Sequence, residues 1–493
     1  MSSPQAAPVV PLTELLAEGS RVLQLAERFR ERERALYLVG GTVRDAFLGR
    51  SGGDYDFATD AAPDETLEIV KPAAEAVWLQ GFRFGTVGAR VAGVDVEITT
   101  FRTERYEPDS RHPEVAYTRE IEIDLSRRDF TVNAMAVRLP EKDAIDPFGG
   151  LDDLKAKVIR TPIDPNESFA DDPLRMLRAF RFAAQLQFAV APEVLESVKA
   201  SKNKLETISR ERIRDELSRL LLGRDPAMAL RLADTTGITD LFLPELSALK
   251  LEQDPVHKHK DVFEHTLAVL ERATKVDGDE ASLEVRLAAL LHDIGKPKTR
   301  RIDPEGGVSF HHHEVVGAEM ARERLRELRF PNEVVATVEE IIRLHHRFHT
   351  YGLGWSDSAV RRYVRDAGPH LQRLNALVRA DCTTRNPNKA RRLAARMDEL
   401  EVRIAALAEQ EQLHQMRPDL DGAQISAYLG IPPSRTIGEA RQFLLDARVD
   451  DGPLGEEEAY RRLDGWARAR GIDPVGERIP PKEKKADPTD PAG

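Results

Sequence analysis

The chain has 493 residues, 41% of them hydrophobic and 32% charged, which is enough for several domains with buried cores. Its 72 Lys and Arg residues against 84 Asp and Glu give a net charge of −12, which argues against a protein that coats nucleic acid by overall charge. The start lacks a signal-peptide pattern, no apolar run is long enough to cross a bilayer, and Cys382 is the single cysteine, so we predict a cytoplasmic protein with no membrane association.

The first 150 residues contain most of the strand signals. An amphipathic helix is predicted from about Thr13 to Glu33, and Ala92-Gly93 is predicted to be a turn between two strands. Strands are predicted at Leu36–Val39, Tyr55–Ala58, Thr86–Val91 and Val94–Phe101, and helices at Val43–Leu48 and Asp64–Lys71. These elements predict a small head with a mixed sheet.

After Asp152 the strand signals fade and helical periodicity dominates. Helices are predicted at Pro173–Leu186, Arg210–Leu222, Val262–Thr274 and Glu284–His292. From Pro474 onward the chain is rich in proline and charge, which predicts a disordered tail. The predicted fold class is α+β, a mixed-sheet head followed by a mostly helical body.

Acidic residues alternate along two of the predicted strands. In "DYDF", Asp54 and Asp56 share a face, and in "VDVEIT" Asp95 and Glu97 do the same. An isolated Asp-x-Asp is more often a solvated turn, but two acidic strands together make a site of hard oxygen ligands suited to Mg²⁺.

Upstream, "LVGGTVRD" has features of a phosphate-binding turn. Gly40 and Gly41 allow close backbone approach, Thr42 is predicted to cap the following helix, and Arg44 offers a cationic fork to phosphate. A Gly-Gly pair alone is usually a simple turn. With the acidic strands it predicts a pocket for a nucleoside triphosphate and metal ions, as in two-metal nucleotidyl transfer.

Eight motifs in order identify the chain as resembling the class II CCA-adding enzymes of the polymerase-beta-type nucleotidyltransferase superfamily. They are "LVGGTVRD", "DYDFAT", "FGTV", "VEITTFR", "RRDFTVNAMA", "DPFGGLDDL", "DDPLRMLRAFRFAAQLQF" and "ISRERIRDEL". The resemblance implies that Asp54 and Asp56 are metal ligands, with Glu97 as the third carboxylate and Asp95 as the alternative. It also implies nucleotide contacts by Arg128, Asp129 and Arg178.

In this family an acid-and-arginine motif selects the base without a template, and here it matches Asp171, Asp172 and Arg175. An arginine that donates to a ring nitrogen and an aspartate that accepts from an exocyclic amine would admit cytosine and adenine and reject uracil and guanine. The alternative is an ordinary salt bridge between Asp172 and Arg175 on one helix. The family pattern more often has Glu at the position of Asp171, so a direct base contact by this shorter side chain is open.

Two further segments match the family. The polar stretch Arg105–Thr118 resembles the loop required for addition of the final A, which argues against an enzyme that adds C-C alone. A locally basic stretch is a candidate for tRNA binding, although nearby acids also fit a solvated helix face. Its candidate residues are Lys202, Lys204, Arg212 and Arg214.

A second set of metal ligands follows. The adjacent pair His292-Asp293, with His265 before it and Asp381 well after it, resembles the HD family of metal-dependent phosphohydrolases. His313 and the pair His345-His346 lie in the same region. Imidazoles and carboxylates of this kind suit a transition-metal ion that activates water on a phosphate ester.

The domain prediction is a nucleotidyltransferase head at 1–150, a neck at 151–245, an HD domain at 246–390, a helical region at 391–473 and a tail at 474–493. We predict CCA addition to tRNA from CTP and ATP with Mg²⁺ in the head. The alternatives are a poly(A) polymerase of the same superfamily, an HD phosphohydrolase with a regulatory head and, least favoured, an RNA-binding scaffold. The sequence leaves the oligomeric state open.

Overall fold

A computed structural model describes residues 13, 16–50, 55–105, 114–250, 261–275, 282–302, 308–382, 387–411 and 418–481. Within these ranges, no helix is both long and apolar enough to span a membrane. The chain divides into two compact units. The first comprises Met1–Gln253, Asp261–Leu267 and Glu323–Pro331, and the second comprises Asp254–Lys260, Ala268–Arg322 and Asn332–Gly493.

A seven-stranded mixed sheet forms the centre of the first unit. Its strands are β1 (Leu36–Val39), β2 (Tyr55–Thr59), β3 (Ala76–Trp78), β4 (Thr86–Val91), β5 (Val94–Thr100), β8 (Ala136–Leu139) and β9 (Asp143–Ile145), in the order β3-β4-β5-β2-β1-β8-β9. Between β5 and β8 in the chain, β6 (Arg102–Arg105) and β7 (Glu114–Tyr117) form a separate antiparallel hairpin. In the seven-stranded sheet, β2 and β5 pair in parallel and the other neighbours pair antiparallel.

Strand residues alternate between two apolar cores, so both faces of the sheet are covered. Leu36 and Leu38 pack in a core with Phe29 of the first helix, whereas Tyr37 and Val39 pack on the opposite face. The predicted turn is confirmed, because Ala92 and Gly93 have φ of 58° and 75°, the left-handed pair that joins β4 to β5.

Helices complete the first unit. They are α1 (Arg21–Glu31), α2 (Gly41–Phe47), α3 (Pro63–Val70), α4 (Ile121–Ser126), α5 (Gly150–Ala156), α6 (Pro165–Asp171), α7 (Arg175–Leu186), α8 (Pro192–Ser201), α9 (Arg210–Leu221), α10 (Pro226–Thr235) and α11 (Pro244–Ser247). A two-stranded parallel pair, β10 (Val158–Ile159) and β11 (Ala189–Val190), lies among them. The neck helix was predicted to begin at Pro173, but α7 begins at Arg175, so Asp172 and Arg175 do not share a helix.

The second unit is mostly helical. Its helices, two of which cross the unit boundaries, are α12 (Val262–Ala273), α13 (Leu283–Leu291), α14 (Lys296–Thr299), α15 (His313–Glu327), α16 (Asn332–Leu344), α17 (Asp357–Ala367), α18 (Leu371–Asp381), α19 (Pro387–Glu411), α20 (Gly422–Leu429), α21 (Arg435–Asp451) and α22 (Glu456–Arg468). A short hairpin of β12 (Arg301–Ile302) and β13 (Val308–Ser309) precedes α15.

The end of the described chain is anchored to these last helices. The Gly476 N–H donates to the Tyr428 carbonyl at 3.0 Å, and Arg478 forms an ion pair with Glu457 at 2.6 Å. The predicted disordered tail from Pro474 is therefore wrong for residues 474–481. Its remainder, 482–493, lies outside the described residues.

Candidate active site

The glycine turn between β1 and α2 forms one wall of the site. Gly40 has φ of +74°, and a Cβ there would lie 3.0 Å from Arg128 Nη1 and 3.8 Å from Asp56 Oδ2. The backbone conformation therefore favours glycine, and a Cβ would also be in tight contact with the Arg128 guanidinium. The predicted cap is wrong, because α2 begins at Gly41 with Gly40 at its N-cap position, and Thr42 is buried inside the helix.

The two acidic strands lie side by side, as expected. Asp56 of β2 and Glu97 of β5 are Cα partners in the parallel ladder, and both side chains are exposed between buried neighbours. Asp54 lies outside the described residues. Two carboxylates at adjacent ladder positions provide the hard oxygen donors that fit a divalent metal ion.

Asp95 shares the strand face of Glu97 but has a different partner. Arg90 of β4 donates from Nε and Nη2 to the two Asp95 oxygens at 2.7 and 2.9 Å. These hydrogen bonds hold the pKa of Asp95 below its ordinary value. Asp95 is therefore committed to Arg90, which favours Glu97 as the partner of Asp56 in metal binding.

A buried acid orients the arginine pair of the "RRD" motif. Asp124 is 1% exposed and accepts hydrogen bonds from Arg127 Nη2 at 2.6 Å, Arg128 Nη2 at 3.4 Å and the Arg102 backbone N–H at 3.3 Å. Burial alone would raise the pKa of Asp124, but the charges of Arg127 and Arg128 lower it. Sequence reasoning missed Asp124, although its spacing three and four residues before two arginines was a signal.

Asp129 links the head to the neck helix. Its Oδ1 accepts from Asn133 Nδ2 at 2.9 Å and its Oδ2 accepts from Arg178 Nε at 2.8 Å. Burial would raise the pKa of Asp129, but Arg178 and Asn133 bring it below the ordinary value. Asn133, which the sequence analysis did not single out, also accepts from Arg44 Nη1 at 2.7 Å.

Arg44 makes contacts that were not predicted. Besides Asn133, it donates from Nε and Nη2 to the carboxylate of Asp45 at 3.0 and 2.8 Å. Its guanidinium also lies 5.4 Å from the ring centre of Phe182. The contacts with Asn133 and Phe182 connect α2 to the turn after the RRD motif and to α7. A nucleotide contact by Arg44 stays a prediction.

The predicted base-selecting residues Asp172 and Arg175 lie at the site, but the side chain of each contacts other residues and not the side chain of its predicted neighbour. Arg175 is buried and donates to Ser168 Oγ at 2.9 Å and to the Arg127 carbonyl. Asp172 instead accepts from Arg212 Nη2 at 3.1 Å and from the Leu174 N–H at 3.1 Å. The alternative interpretation, a salt bridge between Asp172 and Arg175, does not fit these contacts, since Asp172 follows the last turn of α6 and Arg175 opens α7.

One open pocket of about 630 Å³ brings these elements together. Its lining residues are Gly40, Gly41, Arg44, Asp56, Arg102, Arg127, Arg128, Asp129, Asn133, Asp172, Arg175, Arg178, Arg181, Phe182 and Gln185. Nearly all the predicted nucleotide-binding residues thus face one space. Asp171, the last residue of α6, and Glu97 are not part of its lining.

Arg181 and Phe182 belong to the site but were not predicted. Arg181 is 4.3 Å from the Phe182 ring centre and forms an ion pair from Nε to Glu216 at 3.1 Å, in a geometry that is not a hydrogen bond. Burial, reinforced by the charge of Arg178, lowers the pKa of Arg181 to about 10. Arg181 therefore stays cationic at neutral pH.

The four predicted RNA-binding residues have different partners. Lys202 donates to the Gly237 carbonyl at 3.3 Å, and Arg214 donates to the Arg329 carbonyl at 2.7 Å. Arg212 contacts Asp172 beside the pocket, and Lys204 is exposed. Contact with tRNA stays a prediction for all four.

The second unit contains a compact cluster of histidines and aspartates. His292 Nε2 lies 3.3 Å from Asp293 Oδ2 and 3.8 Å from Asp381 Oδ1, and His313 Nε2 lies 3.5 Å from Asp293 Oδ1. One ligand atom each from Asp293, His313 and His345 lie within 4.8 Å of one another. His265 is half-buried on α12, and its role as a ligand stays a prediction.

Backbone contacts orient the cluster's imidazoles. The Nδ1 atoms of His292, His313 and His345 lie 2.9, 2.9 and 2.6 Å from the carbonyls of residues 289, 310 and 342. When Nδ1 carries the proton and donates to the carbonyl, the Nε2 atom of the neutral imidazole has a lone pair that can bind a metal ion. Burial lowers the pKa of His345 to about 3, with the charge of His292 acting in the same direction, so His345 is neutral. The donor set fits a transition-metal ion.

Three family models match the chain. The Poly A polymerase head domain matches residues 36–160, the probable RNA and SrmB-binding site of polymerase A matches residues 187–250, and the HD domain matches residues 262–412. Both the head and the HD families imply dependence on divalent metal ions.

Similarity to full-length relatives extends over most of the chain. It is 35% identical to the A-adding tRNA nucleotidyltransferase of Deinococcus radiodurans over 443 residues, 87% of this chain and 95% of the relative. The CC-adding tRNA nucleotidyltransferase of Thermus thermophilus is 34% identical over 442 residues, 88% and 94% of the two chains. The crystal structure of the Bacillus stearothermophilus CCA-adding enzyme in complex with CTP matches with a TM-score of 0.68 at 26% identity, covering 92% and 98%. The predicted fold class is confirmed.

Proposed function

We propose a function from one premise: the chain belongs to the tRNA nucleotidyltransferase family. It adds C, C and A to the 3′ end of tRNA from CTP and ATP without a nucleic-acid template and releases pyrophosphate. The observation that supports this most strongly is the pocket that holds the glycine turn, Asp56, Asp172 and Arg175 in one space.

We assign metal binding in the head to Asp54, Asp56 and Glu97. The support is the ladder pairing of Asp56 with Glu97 and the engagement of Asp95 by Arg90. Mg²⁺ bound there would activate the 3′ hydroxyl and offset charge on the phosphates during in-line displacement. The new bond joins O3′ to the α-phosphorus, and the bond from that phosphorus to the pyrophosphate oxygen breaks.

We assign triphosphate binding to the cationic side of the pocket. Arg128 lies against Gly40 and is oriented by Asp124, so its fork is fixed before a nucleotide arrives. Arg178 is held by Asp129 in the same pocket. A carboxylate behind each arginine positions its cation and leaves further N–H groups for phosphate oxygens.

We assign base selection to Asp172 and Arg175. Arg175 has five N–H groups, and its contacts with Ser168 and Arg127 leave others on the same fork for the ring nitrogen of cytosine or adenine. Asp172, held by Arg212, would accept from the exocyclic amine. Asp171 lies outside the lining of the pocket, so we give it a supporting role at the end of α6.

Family membership alone leaves open which nucleotides are added, because near-full-length relatives include an A-adding and a CC-adding enzyme. Addition of both C and A is supported by the residues Asp172 and Arg175, whose acceptor and donor groups suit cytosine and adenine. It is also supported by the resemblance of Arg105–Thr118 to the family loop that serves addition of A, although residues 106–113 of this stretch lie outside the described residues.

The test is incubation of a tRNA lacking its last three nucleotides with Mg²⁺ and each nucleoside triphosphate, read on a sequencing gel. Two additions from CTP and one further addition from ATP would support the proposal. Addition of C-C only, of A only to a tRNA ending in C-C, or of a long run of A would instead indicate a CC-adding enzyme, an A-adding enzyme or a poly(A) polymerase.

A second candidate activity is metal-dependent phosphoester hydrolysis in the HD region. The observation that favours it is the cluster of His292, Asp293, His313, His345 and Asp381 with carbonyl-oriented imidazoles. Such a site would hold a transition metal that lowers the pKa of a bound water. We retain His265 as a further candidate ligand.

We place the reaction in the cytoplasm and keep the predicted division into head, neck, HD domain and C-terminal helical region. For tRNA itself we retain Lys202, Lys204, Arg212 and Arg214 as candidates, of which Lys204 and Arg212 are exposed.

A further inference from the structure

A row of residues crosses one face of the seven-stranded sheet, from its edge strand to the acidic pair. Trp78 of β3 is the Cα partner of Gly88 of β4. On its other side Gly88 is the partner of Glu97, which pairs with Asp56. Directly opposite residues place their side chains on the same face of a sheet, and Val77 packs against the core on the opposite face. Trp78 therefore shares a face with the carboxylates of Glu97 and Asp56.

Gly88 gives the indole of Trp78 room to lie across β4. A Cβ at Gly88 would be 1.8 Å from Trp78 Nε1 and 2.4 Å from Trp78 Cδ1, so any larger residue there would displace the ring. Because the Cβ atoms of directly opposite residues are about 5 Å apart, an indole in this position is next to the side chain of Glu97. The ring thus lies beside the carboxylates to which we assign metal binding.

The indole is available to a ligand on this face. Trp78 is half-buried, and its Nε1 atom has no hydrogen-bond partner in the part of the chain that the structure describes. Polar groups flank it along the strands, since the Thr86 and Thr99 hydroxyls lie 3.0 Å apart on one side and Arg90 is paired with Asp95 on the other. An aromatic ring with a free N–H among polar side chains suits a ligand that has both a flat and a polar part.

The position of the nucleotide pocket indicates which reactant would meet this ring. The pocket contains Gly40, Asp56 and Arg128, whereas neither Glu97 nor Trp78 lines it. In an in-line displacement the attacking hydroxyl and the departing pyrophosphate lie on opposite sides of the phosphorus. With the triphosphate in the pocket, the 3′ end of the RNA would approach from the side of Glu97, where Trp78 lies.

The chemistry of the acceptor favours an aromatic contact at this place. Bases stack on aromatic side chains with little dependence on sequence, because every base has a π-face. During C-C-A addition the terminal base of the acceptor changes after each step, so a contact that tolerates any base can serve every addition. The free indole N–H can also donate to a sugar or phosphate oxygen of the same nucleotide.

We propose that Trp78 stacks on the 3′-terminal base of the RNA acceptor and so positions the attacking 3′ hydroxyl beside Asp56 and Glu97. This inference rests on the proposed function and deepens it, because it assigns a residue to the second substrate at the same site. The sequence analysis did not connect Trp78 with RNA.

The first test follows the fluorescence of Trp78 in the full-length chain. The variant Trp355→Phe/Trp466→Phe removes the other two of the three tryptophans. The probe is a hairpin RNA with one unpaired 3′-terminal nucleotide, compared with the same hairpin in which that nucleotide is abasic, and no nucleoside triphosphate is present. A base that stacks on the indole quenches its emission, so we expect the intact RNA to quench Trp78 and the abasic RNA to bind without quenching.

The second test measures the Kd of both RNAs by fluorescence anisotropy. We expect Trp78→Ala to raise the Kd of the intact RNA by about five- to a hundredfold and to leave the Kd of the abasic RNA unchanged. Trp78→Phe, which keeps an aromatic face, should retain most of the affinity, and the Kd of CTP measured without RNA should be unchanged in both variants. The control is Leu79→Ala, a change at the neighbouring residue, which is 52% exposed.

The outcomes distinguish stacking from a purely structural role. Equal quenching by the two RNAs, no quenching by either, or an equal rise in both Kd values in Trp78→Ala would overturn the proposal and leave Trp78 as a residue that packs on Gly88. Failure of the parent chain to incorporate CMP from CTP would refute the proposed function separately, because quenching and Kd are measured without catalysis.

Discussion

At the scale of single residues, the role of a side chain in this protein follows from its nearest charged partner. Asp95 and Glu97 have the same charge and share a strand face, yet Asp95 is bound on both oxygens by Arg90, whereas Glu97 pairs in the ladder with Asp56. A carboxylate already held by an arginine is a poorer metal ligand, because binding the metal would break that ion pair.

We expect Glu97→Gln to reduce the single-turnover rate of C addition by about a hundredfold or more, because it removes a charged metal ligand. The matched variant Asp95→Asn should retain most of the parent rate, since Asp95 contacts Arg90 and is not assigned to the metal. Both rates are measured by quenched incorporation of labelled CMP under saturating RNA. The reverse order of effects would make Asp95 the third carboxylate.

Arg175 and Asp172 give a second residue-scale prediction. Arg175→Ala removes a charged donor that would meet the ring nitrogen, a contact that contributes about 1.5–3 kcal/mol. We therefore expect discrimination between CTP and UTP, measured as the ratio of their kcat/KM values, to fall about ten- to a hundredfold.

The control for this experiment is Arg28→Ala, a change at an exposed arginine of α1. Because Asp172 is held by Arg212 and not by Arg175, its orientation should survive in Arg175→Ala. If the ratio of kcat/KM for CTP and UTP in Arg175→Ala equals that of the parent, Arg175 does not take part in base recognition. Its contacts with Ser168 and Arg127 would then be structural.

At the scale of elements, α7 is the part that joins the head to the neck. This helix carries Arg175, Arg178 and Arg181 at intervals of three residues. Acidic residues from other elements contact Arg178 and Arg181. Asp129 of the head holds Arg178, and Glu216 of α9 lies 3.1 Å from Arg181. The burial of Arg175 and Arg181 and the partial burial of Arg178 are tolerated because each cation has a carboxylate or carbonyl partner.

The Asp129 contact predicts a pH dependence of stability. The folded-state pKa of Asp129 is lowered, so the ionised form stabilises the fold above the unfolded-state pKa of about 4, and this contribution is lost as pH falls through the folded value. We expect Asp129→Asn to lower the free energy of unfolding by about 1.5–3 kcal/mol at pH 7, and by less at pH 3.

The measurement is urea unfolding followed by the fluorescence of Trp78, in a background in which Trp355 and Trp466 are replaced by Phe so that the head alone is observed. Asp152→Asn is the control, since its side chain is 88% exposed. An equal loss of stability at both pH values would show that the ionised pair is not the cause.

At the scale of the whole molecule, two chemically different sites lie in different compact units. The pocket of the head and neck is built from residues of the first unit, and the cluster around His292 and Asp293 is built from residues of the second. Hard carboxylates predominate in the first site and imidazoles in the second, so the two sites suit different metals.

We expect His292→Ala or Asp293→Ala to leave C-C-A addition largely intact while lowering bound transition metal and abolishing hydrolysis of a phosphodiester. Metal content is measured by elemental analysis of purified protein, which does not depend on activity. His311→Ala, a change at an exposed histidine near the cluster, is the control. A parallel collapse of C-C-A addition in a well-folded variant would mean that the two units are functionally coupled.

What the sequence determined by itself is the local structure and the motifs. The limits of β1 and β4 match the predicted strands, and the left-handed turn at Ala92-Gly93 lies where it was predicted. These features depend on side-chain alternation and on the backbone preferences of adjacent residues, so a short window of sequence contains them. The same holds for the glycine turn and for the alternation of Asp95 and Glu97 on β5.

The partners of those residues were decided by the tertiary structure alone. Asp172 pairs with Arg212, forty residues away, and Arg175 contacts the Arg127 carbonyl, so the salt bridge expected from sequence spacing does not form. Helical spacing predicts neighbours within one helix, whereas these contacts arise where separate elements pack, and packing brings together residues that no local pattern connects.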